Sequence, residues 1–307
     1  MDYMQLSPRE AAFVTVAYGD IFDYPLTLKE VKRWSIICPS PVIQGRHIEQ
    51  ENGYIFLKGR SGIVAMRIER QLEQKKKWFI AHRVAYWLSR IPTINLVAVT
   101  GGLAMGNARR DEDIDLFIIS SFRSLWITRF FSTCIVQILG IRRKPDDTKA
   151  ANKACLNMFM TPNSQKSEDS FSIPKKERDC YTAHEILQIK PLFIRGDTYR
   201  HFLYSNKWVQ VFLPNAWKEA VRQINRYSPK KNIMTRNITR GQKVLDIFES
   251  IFKIIQLFYM QHHRTHEVIN DYTIRFHPRD ARVWIKRKLR KRLKEFKIPL
   301  DKIFYAR

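Results

Sequence analysis

The sequence predicts an α+β protein, and three observations carry that prediction. Apolar residues recur at helical spacing over long segments toward both ends of the chain. Between residues 95 and 160, apolar and β-branched runs bounded by turn residues alternate with helical segments, which indicates an α/β or α+β core. The 307 residues are 45% hydrophobic and include only 11 glycines and 13 prolines. The chain can therefore bury a core, and its composition excludes collagen-like and low-complexity classes.

Residues 1–60 are predicted to form a small unit of their own. Apolar positions over residues 11–17 suit a helix, and Thr27 caps a second helix. A third short helix is expected around residues 42–50, before the edge strand of a hairpin at residues 53–59. This order resembles a winged helix-turn-helix. Because the unit lacks the basic footprint that phosphate neutralisation needs, docking within the protein is favoured over DNA binding.

Three further regions follow along the chain. Residues 61–92 have apolar positions at helical intervals and are predicted to be one or two connecting helices. Residues 93–200 are predicted to form the core, and residues 201–307 to form a helical region that ends in a basic run. The predicted core elements are strands at 96–100, 115–120 and 154–160 and a helix at 123–141.

The formal net charge of +25 is unevenly distributed. Residues 1–100 carry +5, residues 101–200 carry +4 and residues 201–307 carry +16. The last third is therefore the expected polyanion-facing surface, either for RNA or another nucleic acid or for an anionic membrane. Its residues 282–297 combine nine basic side chains with an apolar stripe. Such a helix could show its charges to RNA, lie on a membrane surface, or simply keep the protein soluble.

Compartment is predicted from cysteine usage and from hydropathy. The four cysteines have no metal-binding spacing and suit reduced, buried thiols. The N-terminal residues lack the basic start and apolar centre of a signal peptide. The apolar stretch Leu125–Ile141 is short and contains Arg129, which favours a buried helix over a membrane span. These observations predict a cytoplasmic protein.

Residues 97–120 contain the segment that points to chemistry. Gly101 and Gly102 end a buried strand, and without Cβ atoms they let the backbone approach a phosphate closely. Asp113 and Asp115 follow, and because strand side chains alternate, their carboxylates project from one face. Two close carboxylates repel each other unless a cation lies between them, and their oxygens suit Mg²⁺ or Mn²⁺ bound together with substrate phosphates. The segment predicts a divalent-metal site for phosphoryl transfer.

The same segment resembles the nucleotidyltransferase superfamily, which includes DNA polymerase β, the minimal nucleotidyltransferases and the aminoglycoside nucleotidyltransferases. The family motif is an apolar strand, Gly followed by Gly or Ser, and roughly ten residues later Asp, an apolar residue and Asp or Glu. Gly101, Gly102, Asp113 and Asp115 match it in type, order and spacing, and Asn107 lies in the helix turn between them. The resemblance implies a mixed sheet flanked by helices. It also implies that the glycines and Asn107 contact an NTP, and that the two aspartates bind Mg²⁺ or Mn²⁺.

The sequence departs from the family pattern at the third carboxylate, which the family usually places on a later strand. On the strand expected to supply it, the polar residue at the alternating position is Asn157, which we predict as the counterpart. Asp146 and Asp147 in the preceding turn are alternatives, and Glu185 on a later helix is another possible base. The missing acid leaves open a catalytically inactive protein that keeps the fold.

Two other clusters of polar residues could form binding sites. The basic segment near residue 280 could contact a triphosphate, with Arg275 and Arg279 as the predicted nucleotide-binding residues, or could simply be a helix entry. That segment comprises Arg275, His277, Arg279 and Arg282. A histidine cluster has no metal-binding motif and is better explained as a polar helix end. It comprises His262, His266 and Glu267.

Together these observations predict a metal-dependent nucleotidyltransferase. An NTP, with ATP as the first candidate, would place its phosphates over Gly101 and Gly102, and an acceptor hydroxyl or amine would attack the α-phosphorus in line. The alternative from another class is an inactive protein of the same fold that binds nucleic acid or regulates a partner. A membrane-surface adaptor that uses the basic C-terminal helix is a third hypothesis.

Overall fold

The computed structural model is an α+β protein with mixed sheets flanked by helices, as the sequence predicts. It describes residues 6–37, 43, 46–144, 147–164, 169–227, 241–261, 268–275, 281–294, 297–298 and 303. Within this part of the chain, none of the helices is both long enough and apolar enough to cross a membrane.

The N-terminal part, called the head unit below, spans residues 6–57. It contains α1 (Pro8–Asp20), β1 (Leu26–Thr27), α2 (Leu28–Trp34), β2 (Ile48–Glu51) and β3 (Tyr54–Leu57). The strands form an antiparallel sheet in the order β1-β3-β2. Both helices begin with a capping box, in which a hydroxyl accepts from the N–H three residues on and a glutamate there binds back. Thr27 is one of these caps, as predicted.

The short helix predicted around residues 42–50 is wrong for residues 48–50, which belong to β2. Asn52 and Gly53 have positive φ angles of 51° and 79°, and such a turn closes a tight hairpin. Pairing with β3 then fixes residues 48–51 in the extended conformation. Residues 38–42, 44 and 45 lie outside the described residues.

The connecting region is one helix, α3 (Gly62–Leu88), whereas the sequence was compatible with either one or two helices. The core continues with β4 (Ile94–Val99), α4 (Gly101–Met105), β5 (Ile114–Ser120), α5 (Leu125–Ile138), β6 (Ala154–Met160), α6 (Cys180–Gln188) and β7 (Lys190–Ile194). The C-terminal region contains α7 (Thr198–Ser205), α8 (Pro214–Tyr227), α9 (Gly241–Gln261), β8 (Val268–Ile269), β9 (Thr273–Arg275) and α10 (Ala281–Lys294). Short 3-10 helices lie at Lys175–Glu177 and Lys207–Val211.

The core sheet has six strands in the order β7-β4-β5-β6-β9-β8. Neighbours β5 and β6 are parallel and the other pairs are antiparallel, so the sheet is mixed. The sequence predicted β4, β5 and β6 but missed β7, β8 and β9, because the chain beyond residue 179 reads as mainly helical. The missed strands have two to five residues. Pro191 in β7 also argues against a strand, but β7 is an edge strand, where proline is tolerated.

The two faces of the core sheet are covered by different helices. Alternate residues of β5, among them Ile114 and Leu116, pack in one apolar cluster with residues of α3 and α5. Phe117 and Ile119 point to the other face and pack in a cluster with residues of α1, α6 and α10. Asp115 shares this second face with Phe117, because strand side chains alternate. The side chain of Asp115, near the start of β5, is therefore on the face of the sheet that α6 covers.

The basic helix α10 packs its apolar stripe into the protein. Ile285, Leu289 and Leu293 are buried within the second cluster, so this stripe is not available to a membrane. Arg292 of α10 donates to the buried Asp20 at the end of α1, which also accepts from Arg60. Asp20 and the guanidinium groups of Arg60 and Arg292 thus hold the head unit together with α10 and the start of α3. The remaining basic side chains of α10 are mostly exposed to solvent.

Candidate functional site

The glycine pair turns the chain between β4 and α4, directly against an acidic side chain. Gly101 has a φ of +63°, which side chains other than glycine rarely adopt. A Cβ atom at Gly101 would lie 2.5 Å from Oδ2 of Asp115, and one at Gly102 would lie 2.9 Å from Oε2 of Glu112. Both distances are too short for a real contact. The turn therefore brings the backbone close to the carboxylates of Glu112 and Asp115, and the predicted approach to a phosphate stays a prediction.

The structure brings the two predicted aspartates together. Asp115 is the second residue of β5, and Asp113 lies immediately before that strand. Carboxylate oxygens of both residues and the Sγ atom of Cys155 all lie within 4.8 Å of one another. Three potential ligand atoms thus meet at one corner of the sheet, on the side of the glycine turn.

The residue that pairs with Asp115 on the neighbouring strand is Cys155, not Asn157, and the predicted catalytic role of Asn157 stays a prediction. The parallel register pairs Asp115 with Cys155 and Phe117 with Met158. Two residues of β6 therefore stand opposite the single residue between Asp115 and Phe117. This irregularity breaks the strict alternation from which Asn157 was predicted. Asn157 itself is buried.

Arg143 contributes a positive charge that the sequence analysis did not assign. Its Nη1 donates to Oδ2 of Asp113 and lies 3.9 Å from Sγ of Cys155. Its backbone N–H donates to the carbonyl of Ala154 at 3.1 Å, which fixes the turn after α5 beside the start of β6. In this arrangement a guanidinium neutralises part of the acidic group. A metal ion at the aspartates would have to compete with it.

Glu185 of α6 is the third acid near this site. Burial, the charge of Asp113 and the charge of Glu185 together raise the pKa of Asp115 to about 7, although Arg143 opposes the shift. Burial also raises the pKa of Glu185 to about 7, partly offset by the hydrogen bond from Nε2 of Gln188 at 2.6 Å. Two carboxyl groups that titrate near neutral pH are suited to accept a proton in a reaction.

Cys155 remains a thiol in this environment. Burial raises its pKa, and the charges of Asp115 and Asp113 raise it further, while Arg143 opposes the shift. A protonated sulfur is a poor ligand for a hard cation such as Mg²⁺. For a hard cation, the ligands that this group offers are therefore the carboxylate oxygens of Asp113 and Asp115.

A buried lysine on α3 holds the loop that leads into the site. Lys77 is fully buried, and its Nζ donates to the carbonyl of Glu112 and, at 3.4 Å, to that of Arg110. Burial lowers the pKa of Lys77, while surrounding acids oppose the shift. The backbone just before Asp113 is thereby anchored to the connecting helix. Lys77 is a positioning residue for the aspartates.

A cavity of about 310 Å³ lies beside α4, between the head unit and the core. Its wall includes Tyr18, Trp34 and His184, with the rings of Tyr18 and His184 stacked at 4.0 Å. Burial lowers the pKa of His184 to about 4, although its hydrogen bond to the carbonyl of Cys180 opposes the shift, so the ring is neutral at pH 7. Gln188 lines the same cavity and binds Glu185. One hydrogen bond therefore links a residue in the wall of the cavity to Glu185.

Other predicted site residues have different neighbours. The side chain of Asn107 donates to the carbonyl of Phe22 at 2.8 Å and accepts from Arg70 at 2.7 Å. These bonds join the turn after α4 to the head unit and to α3. Arg275 lies on β9, where the sequence predicted a loop, and binds Glu177. Neither residue is shown at the aspartates, and their predicted contacts with a nucleotide stay predictions.

The remaining candidates lie in turns or outside the described residues. Asp147 accepts from the backbone N–H of Lys144 at 2.7 Å and pairs with Lys153 at 2.9 Å. Asp147 therefore stabilises the turn before β6. Arg282 is the second residue of α10, and its charge helps to lower the pKa of Asp179, which burial raises. Six candidates are outside the described residues, namely Asp146, His262, His266, Glu267, His277 and Arg279.

Comparison with known proteins identifies no relative: no protein-family model, no curated protein and no solved structure matches this chain.

Proposed function

We propose that the protein is a metal-dependent nucleotidyltransferase that moves the NMP group of an NTP to an acceptor hydroxyl or amine. The observation that carries the proposal is the contact between the Gly101 turn and Asp115, with Asp113 beside it. A mixed sheet with β4 and β5 as antiparallel neighbours supports this arrangement. The family resemblance of the same four residues, Gly101, Gly102, Asp113 and Asp115, gives it a chemical meaning.

The donor set fits Mg²⁺ or Mn²⁺. Mg²⁺ is commonly held by one or two carboxylates together with substrate phosphates, and Asp113 and Asp115 offer that number. When bound, the ion would supply charge neutralisation at the phosphates. The raised pKa of Asp115 also fits, because a cation favours its charged form and offsets the repulsion from Asp113.

The chain's own residues can orient the substrate and take up a proton. The backbone at Gly101 and Gly102 is free of Cβ atoms and can approach the triphosphate closely. We propose that Glu185, with its pKa near 7, accepts the proton that the acceptor hydroxyl or amine loses. In that step the acceptor atom bonds to the α-phosphorus, and the bond between the α-phosphorus and pyrophosphate breaks. The cavity beside α4 is our candidate for the acceptor, because Gln188 links it to Glu185.

A second function is favoured by the Arg143 contact. Cys155 stands beside Asp115 where an acid is expected, and Arg143 already binds Asp113. Both features suit an inactive protein of the same fold. In that case the exposed basic side chains of α10, which include Arg287, Arg290 and Lys291, would bind RNA or another polyanion.

The first test measures nucleotide binding, because it does not require the acceptor to be known. Calorimetric titration with each α,β-methylene NTP is expected to give binding with Mg²⁺ or Mn²⁺ and none with EDTA. Incubation with α-labelled NTPs and pools of RNAs, small molecules and proteins then identifies the acceptor by label transfer. Asp111→Asn is the matched control, since that side chain is 79% exposed and should change neither result. If no NTP binds in a metal-dependent way, the proposal is refuted. Steeply salt-dependent RNA binding would then support the second function.

Arg143→Ala is expected to strengthen Mn²⁺ binding to the nucleotide-free protein about tenfold, because no charge-assisted hydrogen bond to Asp113 has to be broken. Loss of the guanidinium charge acts in the same direction. Electron paramagnetic resonance of free Mn²⁺ measures the affinity. Arg142→Ala, at the neighbouring position, is the control and should leave the affinity near that of the wild type. An unchanged or weaker affinity in Arg143→Ala would show that the ion does not bind at Asp113.

A further inference from the structure

Helix α9 is attached to the core by its polar side. Glu249 accepts from the backbone N–H groups of Trp126 and Ile127 at 2.7 and 2.9 Å, at the beginning of α5. Gln256 is buried and donates to the carbonyl of Trp126 at 2.8 Å. Phe252 stacks near Phe130, with ring centroids 4.5 Å apart. These contacts fix the rotation of α9 about its own axis.

The opposite side of α9 is apolar and faces solvent. Its seven large side chains are between 44% and 69% exposed and recur at the spacing of one helix face. They are Ile247, Phe248, Ile251, Ile254, Ile255, Phe258 and Tyr259. With about 200 Å² for each fully exposed side chain, they present roughly 800 Å² of surface, more than the largest apolar patch of a typical monomer. Phe131 of α5, which is 46% exposed and lies 6.0 Å from Phe252, adds to this surface.

Basic residues flank this apolar face in the sequence. Residues 228–243 contain five lysines and arginines and no acid, and they lead directly into the helix. Arg264 and three histidines follow its end at residues 262–266. On α9 itself, Asp246 pairs with Arg123 and Glu249 binds α5, so these acids are engaged on the attached side. In the sequence, basic residues therefore flank both ends of the helix that carries the apolar face.

We propose that the apolar face of α9 binds the surface of an anionic lipid bilayer, with the helix lying in the plane of the membrane. An apolar stripe combined with flanking lysine and arginine is the pattern of interfacial helices. Anionic headgroups would attract the basic residues at both ends, while the acyl region would cover the isoleucine and phenylalanine side chains. This surface differs from the one on α10 that the sequence suggested, since the α10 stripe is buried.

Other occupants fit these observations less well. A second copy of the chain would also bring a net charge of +25, and the basic residues beside both helices would repel each other. Nucleic acid would satisfy the charge but would leave seven apolar side chains in water. An anionic membrane satisfies the charge and covers the apolar face together.

Flotation of the full-length protein with lipid vesicles tests the proposal. The protein is expected to float with vesicles of phosphatidylcholine and phosphatidylglycerol, and to float much less with phosphatidylcholine alone or at high salt. The double variant Ile254→Ser/Phe258→Ser changes side chains that are 69% and 67% exposed, and it should bind at least tenfold more weakly. Leu72→Ser/Phe79→Ser on α3, at 68% and 71% exposure, is the matched control and should float like the wild type.

Three outcomes would overturn the proposal. The wild type could stay unbound in the presence of anionic vesicles, or the α9 double variant could float as well as the wild type. Analytical ultracentrifugation could instead show a dimer that the α9 variant dissociates, which would assign the face to a second copy. Thermal unfolding of both double variants should match that of the wild type, because all four side chains are largely exposed.

Discussion

Asp115→Asn is expected to abolish nucleotide transfer and, at the same time, to make the protein more stable at pH 8. Transfer should fall at least about a thousandfold, roughly 4 kcal/mol of transition-state stabilisation, because one of two metal-binding carboxylates is lost. The asparagine keeps the shape of the side chain and removes a charge that burial, Asp113 and Glu185 all disfavour. The measurements are label transfer from an NTP and chemical unfolding of wild type and variant.

The sign of the stability change follows from the raised pKa. The carboxyl of Asp115 has a pKa of about 7 in the folded protein and a reference value of 3.8. Between these values the folded state binds more protons than the unfolded state, so the free energy of unfolding falls as pH rises. The variant lacks this loss, and we expect it to be about 1 to 3 kcal/mol more stable than wild type at pH 8. Near pH 4 the difference should vanish.

Asp111→Asn separates this effect from a general loss of negative charge. That carboxyl is also in the segment before β5, but its side chain is 79% exposed. It should change neither transfer nor stability measurably. If Asp115→Asn is less stable than wild type at pH 8, the carboxylate forms more favourable contacts than the structure indicates. If it still transfers label, Asp115 does not bind the catalytic metal.

The glycine turn and the aspartate pair were predictable because their geometry is local. Two glycines after an apolar strand need only the strand and the turn to define their position, and Asp113 and Asp115 need only the alternation of one strand. In the structure the glycines follow β4 and Asp115 lies on β5, while Asp113 lies immediately before that strand. The structure also adds what sequence spacing could not give, namely that Asp115 approaches the position of a Gly101 Cβ to within 2.5 Å.

The other members of the site come from distant segments, and local patterns do not reveal them. The pairing of β5 with β6 contains a register shift, in which β6 has one extra residue between Cys155 and Met158. Such a shift changes which side chain of β6 lies beside a given residue of β5, and sequence spacing does not reveal it. Arg143 lies in a basic turn whose charges gave no sign of a partner. Glu185 was named as a base, but the sequence favoured an exposed position, because the side of α6 that meets the core depends on tertiary packing. The raised pKa values of Asp115 and Glu185, both about 7, are the signal that joins these residues.

Arg67→Ala is expected to destabilise the protein by about 3 to 5 kcal/mol, because it leaves Glu30 without its partner in a partly buried place. Nη1 and Nη2 of Arg67 bind the two carboxylate oxygens of Glu30 at 2.9 and 2.8 Å, and Nη1 also donates to the carbonyl of Pro25. The guanidinium carbon lies 4.1 Å from the ring centre of Tyr24. Arg67 of α3 thus holds α2 and the turn before it, so the cost falls on the attachment of the head unit.

The pH dependence distinguishes this ion pair from simple packing. Burial opposes the charge of Glu30, but the hydrogen bonds and charge of Arg67 outweigh burial and hold its pKa below the ordinary value of 4.5. The stability that the pair contributes is therefore present above pH 4.5 and is lost as pH falls through the lowered pKa. Chemical unfolding should show a large difference between wild type and Arg67→Ala at pH 7 and a smaller one near pH 3. Arg83→Ala, an exposed position on the same helix, is the control and should stay within about 0.5 kcal/mol of wild type. An equal difference at both pH values would assign the role of Arg67 to its packing against Tyr24, with the charge of Glu30 contributing nothing.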